Sequence, residues 1–224
     1  MKIIAHIEND FSTKFGIPRQ SGLVNSLRSR IVFAPEYRNP DAFRGLEDFS
    51  HVWLIWEFSQ AVRQKWSPTV RPPRLGGNTR MGVFATRSPF RPNPVGLSAV
   101  QLEEVVLHGA DAPYLVVSGA DLMNGTPIYD IKPYIPFADC HPDACGGWIE
   151  ESPWHELEVD FSPELRARVA PEKVDGLLEI LRQDPRRAGS KHEPERVYHL
   201  AYAGLDVSFT VDGDVLRVVA VEEL

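Results

Sequence analysis

The sequence predicts a mainly β protein, with strands closed into a barrel or closed sheet and a small α+β unit after them. Three observations predict it. Before residue 150, short apolar segments recur at spacings of roughly 10 to 15 residues with turn residues between them, the rhythm of closed antiparallel sheets. Helical periodicity is scarce over the same region. After Glu150 apolar residues fall at helical spacing, and the chain then closes in alternating runs.

Taken in order, KIIAHIE (Lys2 to Glu8) opens as a strand. FGIPRQSGLVNS follows as a loop, because Gly16, Pro18, Gly22 and Asn25 interrupt any regular element. Arg19 and Gln20 sit in it, where their donors face either a ligand or plain solvent. SRIVFAP (Ser29 to Pro35) is a second strand stopped by its proline. PDAFRGLEDF fits a short helix, with Pro40 near its start and Ala42, Phe43 and Leu46 on one face. HVWLIWEFS (His51 to Ser59) is so rich in aromatic and β-branched residues that it predicts a strand buried on both faces. His51 reads as a catalytic group or as a core-edge histidine satisfied by a carbonyl. Ser59 and Gln60 end the strand, where side chains can face a pocket.

The stretch from Arg71 to Ser98 is unlike the rest. Between Glu57 and Glu103 there is no acidic residue, yet Arg63, Lys65, Arg71, Arg74, Arg80, Arg87 and Arg91 all fall there. Pro72, Pro73, Pro89, Pro92 and Pro94 fix φ and remove donors, so most of the stretch is neither helix nor central strand. Only MGVFAT, Met81 to Thr86, has the content of a short buried strand. Stiff loops cost less entropy to order around a ligand, which suits a binding site. The net charge of −7 argues against a nucleic-acid partner on its face. Distribution outweighs the sum: a basic face on an acidic body can still bind a polyanion. Plain solvation of a loop by its arginines is the alternative.

GLSAVQLEEVVLHG (Gly96 to Gly109) predicts a long strand, with PYLVVSGADL as its hairpin partner across HGADAP. IYDIKPY is a further short strand, and Asp121, Asn124, Asp130 and Lys132 lie among turns. In the last third, Ser162-Pro163-Glu164 is an N-cap with proline at the first helical position. Leu165, Val169, Val174, Leu177, Leu178 and Leu181 continue at helical spacing, with Pro171 splitting the run in two. DPRRAGSKHEPE is a polar, basic loop of the kind that reaches a partner. VYHLAYAGLDVSFTVDGDVLRVVAVEEL closes as a meander, with GLD and DGD as its turns. This part is either a separate domain or an appendage packed on the barrel.

Hydrophobic content of 43% and charged content of 25% are those of a globular protein in water. No segment reaches the roughly 18 apolar residues that span a bilayer, so no membrane partner is expected. The opening residues are acidic where a signal peptide needs an apolar run, and Cys140 and Cys145 are too few for a disulfide framework. Both point to the cytoplasm. CHPDAC offers half of a zinc site at most, so no metal is expected. The sequence has no GxSxG, HExxH or Walker loop, and Leu75-Gly76-Gly77-Asn78 lacks the spacing of a dinucleotide fingerprint. A nucleotide-like cofactor would have to be held by loops, with Arg19, Gln20, Arg87 and Asp121 as natural contacts.

FGIPRQSGLV, GLEDFSHVWLIWEF, RPPRLGGNTRMGVFATRSPFRPNPVGLS, DLMNGTPIYDIKPYIPFAD and LRQDPRRA resemble, in order, segments of the TrmO (TsaA-like) tRNA methyltransferase family. The resemblance covers nearly the whole chain. It implies a β-barrel over residues 1–150 that binds S-adenosylmethionine, a small C-terminal helix-plus-hairpin domain over 151–224, and a homodimer. The implied reaction is methylation of the exocyclic 6-amino group of threonylcarbamoyladenosine at position 37 of tRNA. Carried over by position, cofactor contacts fall to Pro18, Arg19, Gln20, Ser59, Gln60, Arg87, Leu97, Asp121, Leu122, Met123 and Asn124. Asp121, Asp130 and Asp184 are the carboxylates assigned to catalysis, and Arg71, Arg74, Arg80, Arg91 and Arg186 are assigned to the tRNA. Ser59 stands where the family pattern has histidine, Asn124 where it has aspartate, and DPRRAG replaces DPRPAY. Those departures leave two alternatives, another RNA or small-molecule acceptor, or a non-catalytic RNA-binding module.

Overall fold

Six short antiparallel strands close on themselves because their apolar residues alternate and only one face needs covering. In the computed structural model, which describes residues 1–75, 78–151, 155–186 and 193–224, these are β1 (Ala5–Glu8), β2 (Arg28–Phe33), β3 (His51–Glu57), β6 (Val95–Val106), β7 (Tyr114–Ser118) and β8 (Pro127–Pro133). The order around the barrel is β1-β2-β7-β6-β3-β8. Ile7, Ile31, Leu54, Val100, Leu115 and Ile128 fill its interior. A short ribbon, β4 (Thr69–Val70) with β5 (Met81–Gly82), stands apart from it. A single-turn helix, α1 (Pro136–Asp139), follows β8.

β3 differs from expectation. Val52, Leu54 and Trp56 are buried, whereas Trp53, Ile55 and Glu57 on the opposite face are half-buried. An antiparallel barrel strand has one face on the core, so the outer apolar residues serve as a wall for something else. MGVFAT is a strand only at Met81–Gly82. Val83, which is buried, turns the chain into a 3-10 turn, Val83–Ala85. PDAFRGLEDF forms two 3-10 turns, Pro40–Phe43 and Leu46–Asp48, since so short a run does not offset helix nucleation. Asn39 caps the first by accepting from the Asp41 N–H at 3.1 Å, and Phe43 packs edge-on against Phe33 at 4.8 Å.

The last third builds a second core. β10 (Tyr198–Tyr202), β11 (Leu205–Asp212) and β12 (Val215–Glu223) form the meander, and the three-residue β9 (Glu158–Asp160) joins it parallel to β12. β9 is too short to give a periodic signal and was not anticipated. Ser162 caps α2 (Pro163–Arg166), and Pro171 opens α3 (Pro171–Arg182), whose Leu177, Ile180 and Leu181 face the sheet side of the core. The turns fall at Ala203-Gly204 and Gly213-Asp214.

One connection crosses between the two cores. Phe11, Val24 and Leu27, from the loop between β1 and β2, belong to the second hydrophobic cluster. At Gly16, with φ +88°, an added Cβ would stand 2.1 Å from Leu200 Cδ1. The loop carrying Pro18, Arg19 and Gln20 is thus pinned at both ends by the C-terminal core.

Candidate active site

A cleft of about 1150 Å³ lies against the outer face of β3 and β6 and the loops beyond their ends. The register sets Leu97 beside Ile55 and Ala99 beside Trp53, so β3 and β6 supply its apolar wall. Trp56 turns its indole over Gly96, where a Cβ would come within 2.2 Å of the ring. This close approach lets Trp56 Nε1 donate to Ser98 Oγ at 3.0 Å. Ser98 Oγ in turn donates to Asp121 Oδ1 at 2.6 Å. Burial pushes the Asp121 carboxyl above its ordinary 3.8, against the Ser98 hydroxyl and the Arg87 charge, which favour the carboxylate.

The Pro18–Gln20 loop closes one side. Arg19 Nη2 donates to the carbonyls of Asp184 at 3.0 Å and Arg186 at 2.9 Å. Burial lowers the Arg19 pKa; Asp184 opposes that shift and the Arg74 charge adds to it. Gln20 accepts from Arg87 through its side-chain oxygen and donates to the Arg19 carbonyl. On the other side Gln60 Nε2 donates to Met123 Sδ at 3.4 Å, and Lys14 Nζ to the Gln60 carbonyl at 3.4 Å.

The structure therefore brings Pro18, Arg19, Gln20, Ser59, Gln60, Arg87, Leu97, Asp121 and Met123 to one cleft. Leu122 and Asn124 are not among its lining. The Leu122 side chain is buried in the barrel core, and Asn124 Oδ1 accepts from the Asn9 N–H at 3.0 Å. Asparagine keeps the acceptor that this brace needs, so its departure from the family pattern falls on a loop joint. Of the three carboxylates assigned to catalysis, only Asp121 lies in the cleft. Asp130 pairs with Lys132 at 3.1 Å. Asp184, at φ 47°, is held on both oxygens by Arg186, at 2.8 and 2.9 Å.

That fork also engages Arg186, assigned to the tRNA, whose side chain is 14% exposed. Arg91 is committed as well: its Nη1 donates to the carbonyls of Val83 at 3.2 Å and Thr86 at 2.7 Å. Arg74 lies near Arg19, while Arg71 and Arg80 are exposed on the ribbon. Gly76 and Gly77 of the LGGN turn, and residues 187–192 of the DPRRAG loop, lie outside the described residues.

Sequence reasoning missed Trp53, Glu57, Tyr134 and Asp139, all on the cleft. Trp53 Nε1 donates to Asp139 Oδ2 at 3.0 Å and its ring lies 5.6 Å from Tyr134. The Ile135 N–H and then Trp53 hold the Asp139 carboxyl below its ordinary pKa. The half-polar outer face of β3, Trp53 and Glu57, was the available signal, hidden by reading that strand as buried throughout. No group of three or more potential metal-ligating side chains occurs among the described residues.

Barrel and cleft together define a class of protein with a charged, partly apolar cleft walled by loops and the outer face of a closed barrel, with no doubly wound sheet among the described residues. The chain belongs to the TrmO family: residues 6–140 match the tRNA-methyltransferase O N-terminal domain and residues 155–224 the TrmO C-terminal domain. It is 46% identical to an Escherichia coli (strain K12) protein named tRNA (adenine(37)-N6)-methyltransferase, over 85% of this chain and 83% of that one. A Pseudomonas aeruginosa protein named as a putative S-adenosylmethionine-dependent methyltransferase, RcsF, is 42% identical over 91% of this chain and 89% of its own. A crystal structure of TrmO from P. aeruginosa superposes with a TM-score of 0.79 at 35% identity, covering 99% of this chain and 95% of that one.

Proposed function

We propose that this protein methylates the 6-amino group of adenosine 37 in tRNA, with threonylcarbamoyladenosine as the acceptor base and S-adenosylmethionine as the donor. The observation that carries the reading is the 46% identity, over most of both chains, to a protein named for that reaction. The cleft supports it independently, because its residues suit the donor. A sulfonium cation, an amino acid end, a ribose and a flat base need anionic, cationic and apolar surfaces together. Asp121 and Glu57 supply the first, Arg19 and Arg87 the second, and Leu97 with the tryptophans the third.

S-adenosylmethionine supplies a methyl group on a sulfonium that departs as a neutral thioether. The chain's own residues supply the rest. Arg87, braced by Gln20, and Arg19, braced by the Asp184 turn, present donors in a fixed geometry, which lowers the entropy cost of holding ligands in line. An exocyclic amine is a weak nucleophile, since its lone pair is delocalised, and it must lose a proton as it is methylated. We assign that proton to Asp121, a reading supported by its carboxyl being raised by burial and oriented by Ser98. Base 37 lies in a loop, where it can be splayed out without melting a duplex.

The division near residue 150, action as a homodimer and a cytoplasmic location are part of the same proposal. Two separate hydrophobic clusters support the division, and the family resemblance supports the dimer and the location. Among the described residues no helix is long and apolar enough to cross a membrane. The test is incubation with labelled S-adenosylmethionine and tRNA that carries or lacks the threonylcarbamoyl group. Label is expected in the carrying tRNA; label in neither would sink the assignment.

A further inference from the structure

The β4–β5 ribbon has no part in the cleft. Its register pairs Thr69 with Gly82 and Val70 with Met81. The Val83 N–H donates to the Pro68 carbonyl at 2.9 Å, which extends the pairing by one step. Arg71 and Arg80 flank the paired residues at one end of the ribbon, and Ser67 and Phe84 lie beyond the Pro68–Val83 bond at the other.

At the first end Arg71 and Arg80 are exposed, and neither hydrogen-bonds nor ion-pairs among the described residues. They share a shallow depression of about 140 Å³ with Ser67, Thr69 and Val70. Two like charges lining one depression repel. No acidic residue lines that depression, so its positive charge is left open to an external anion.

At the second end Trp66 and Phe84 stack on each other, with ring centroids 6.2 Å apart and planes at 29°. They stay 51% and 74% exposed, where large aromatic side chains usually find cover. The turn bearing Phe84 is braced from below. Arg91 holds the carbonyls of Val83 and Thr86, and Trp148 Nε1 donates to the Ala85 carbonyl at 3.0 Å. The Arg91 guanidinium also lies 5.9 Å from the Phe84 centroid. An exposed ring on a braced turn is a preorganised contact.

We propose that this ribbon is a docking arm for unpaired nucleotides of the tRNA, with a base stacking on Trp66 and Phe84 and a phosphate seated between Arg71 and Arg80. Arg80 to Phe84 spans roughly 11 Å, at about 3.3 Å per strand residue and about 2.0 Å per 3-10 residue. At the roughly 3.4 Å rise per nucleotide of a stacked strand, that is at most about three nucleotides. Aromatic stacking is tolerant of base identity, and arginine fits the phosphate oxygens bidentately. The arm rests on the tRNA reading of the cleft but lies outside it, as none of these four side chains lines the cleft.

The test uses the full-length protein and an anticodon stem-loop RNA, with affinity read by fluorescence anisotropy across a salt series. Trp66→Ala combined with Phe84→Ala is expected to weaken binding at least about tenfold, and Trp66→Phe to keep most of it. Arg71→Gln combined with Arg80→Gln is expected to reduce the salt slope by about 1 to 2. In methylation assays these variants raise KM for tRNA and keep kcat and S-adenosylmethionine affinity. Unchanged affinity in the aromatic variant with an unchanged slope in the arginine variant would overturn the arm. So would loss of self-association in the aromatic variant by sedimentation, which assigns the rings to a second copy of the chain. A wild-type protein that methylates no tRNA would instead refute the proposed function, while the binding series would still decide the arm.

Discussion

The Pro18–Gln20 loop and the β4–β5 ribbon both display arginine, and they hold it in opposite conditions. Arg19 donates to two carbonyls of the 184–186 turn, and its loop is flanked by Phe11, Val24 and Leu27, all buried in the second core. Arg71 and Arg80 extend from a ribbon of two paired residues per strand, without partners among the described residues. A guanidinium already oriented by protein carbonyls has little freedom left, so its charge meets a small ligand from one fixed place. A guanidinium left in solvent acts mainly as a mobile charge, which suits a phosphate whose position varies. What an arginine's donors already hold decides which of these it becomes.

The sharpest way to break that contrast is at the cleft's carboxylate. Asp121→Asn should cut the single-turnover rate of methyl transfer by about 10²-fold or more while leaving stem-loop affinity alone. An unchanged rate would move proton acceptance to Glu57 or to water. The wild-type rate should fall as pH drops through the raised pKa of Asp121, and the Asn variant should lose that dependence.

Next in size, Arg87→Ala should weaken S-adenosylmethionine binding at least about tenfold by calorimetry, since a charge-assisted contact worth about 1.5–3 kcal/mol is removed. Its effect on the salt dependence of RNA binding should be smaller than that of the Arg71 and Arg80 pair. If the two sets exchanged effects, the division between cleft and ribbon would fail.

Gly16→Ala tests the pinning of the cleft loop. A Cβ aimed at Leu200 on a backbone with φ +88° should cost about 1–3 kcal/mol in denaturant unfolding and weaken cofactor binding as the loop shifts. The ribbon substitutions should do neither.

The smallest expected effect is on stability. Burial holds the folded-state pKa of Asp121 above 3.8, so its contribution to folding is present in full below 3.8 and is lost as pH rises through the raised value. Asp121→Asn escapes that loss. In urea titrations of the cofactor-free protein, the variant should gain on wild type at pH 7 and lose that advantage near pH 3.

Much of the fold was legible from local signals. Short apolar runs bounded by turn residues or proline marked β1, β2, β6, β7 and β8, Ser162 and Pro163 marked the start of α2, and Pro171 separated two helices where expected. What failed was short or two-sided. β9 has three residues, and β3 carries apolar residues on its outer face because a cleft wall is apolar too. Motif position had singled out Pro18, Arg19, Gln20, Ser59, Gln60, Arg87, Leu97, Asp121 and Met123, which the fold gathers into one cleft. It did not find Trp53, Glu57, Tyr134 and Asp139, because these meet only across strands.

By itself the sequence determined a strand-rich chain, a helix-plus-meander end, and an acid-free, proline-stiffened block in which arginine collects. Those are properties of composition and nearest neighbours, which each segment carries wherever it lies. Only the tertiary structure decided which arginines are engaged. Arg91 is tied to carbonyls of its own loop, Arg186 to Asp184, Arg19 to a turn 165 residues away, and Arg71 and Arg80 face solvent. A guanidinium's function depends on which acceptors come within about 3 Å of it, and packing alone sets that.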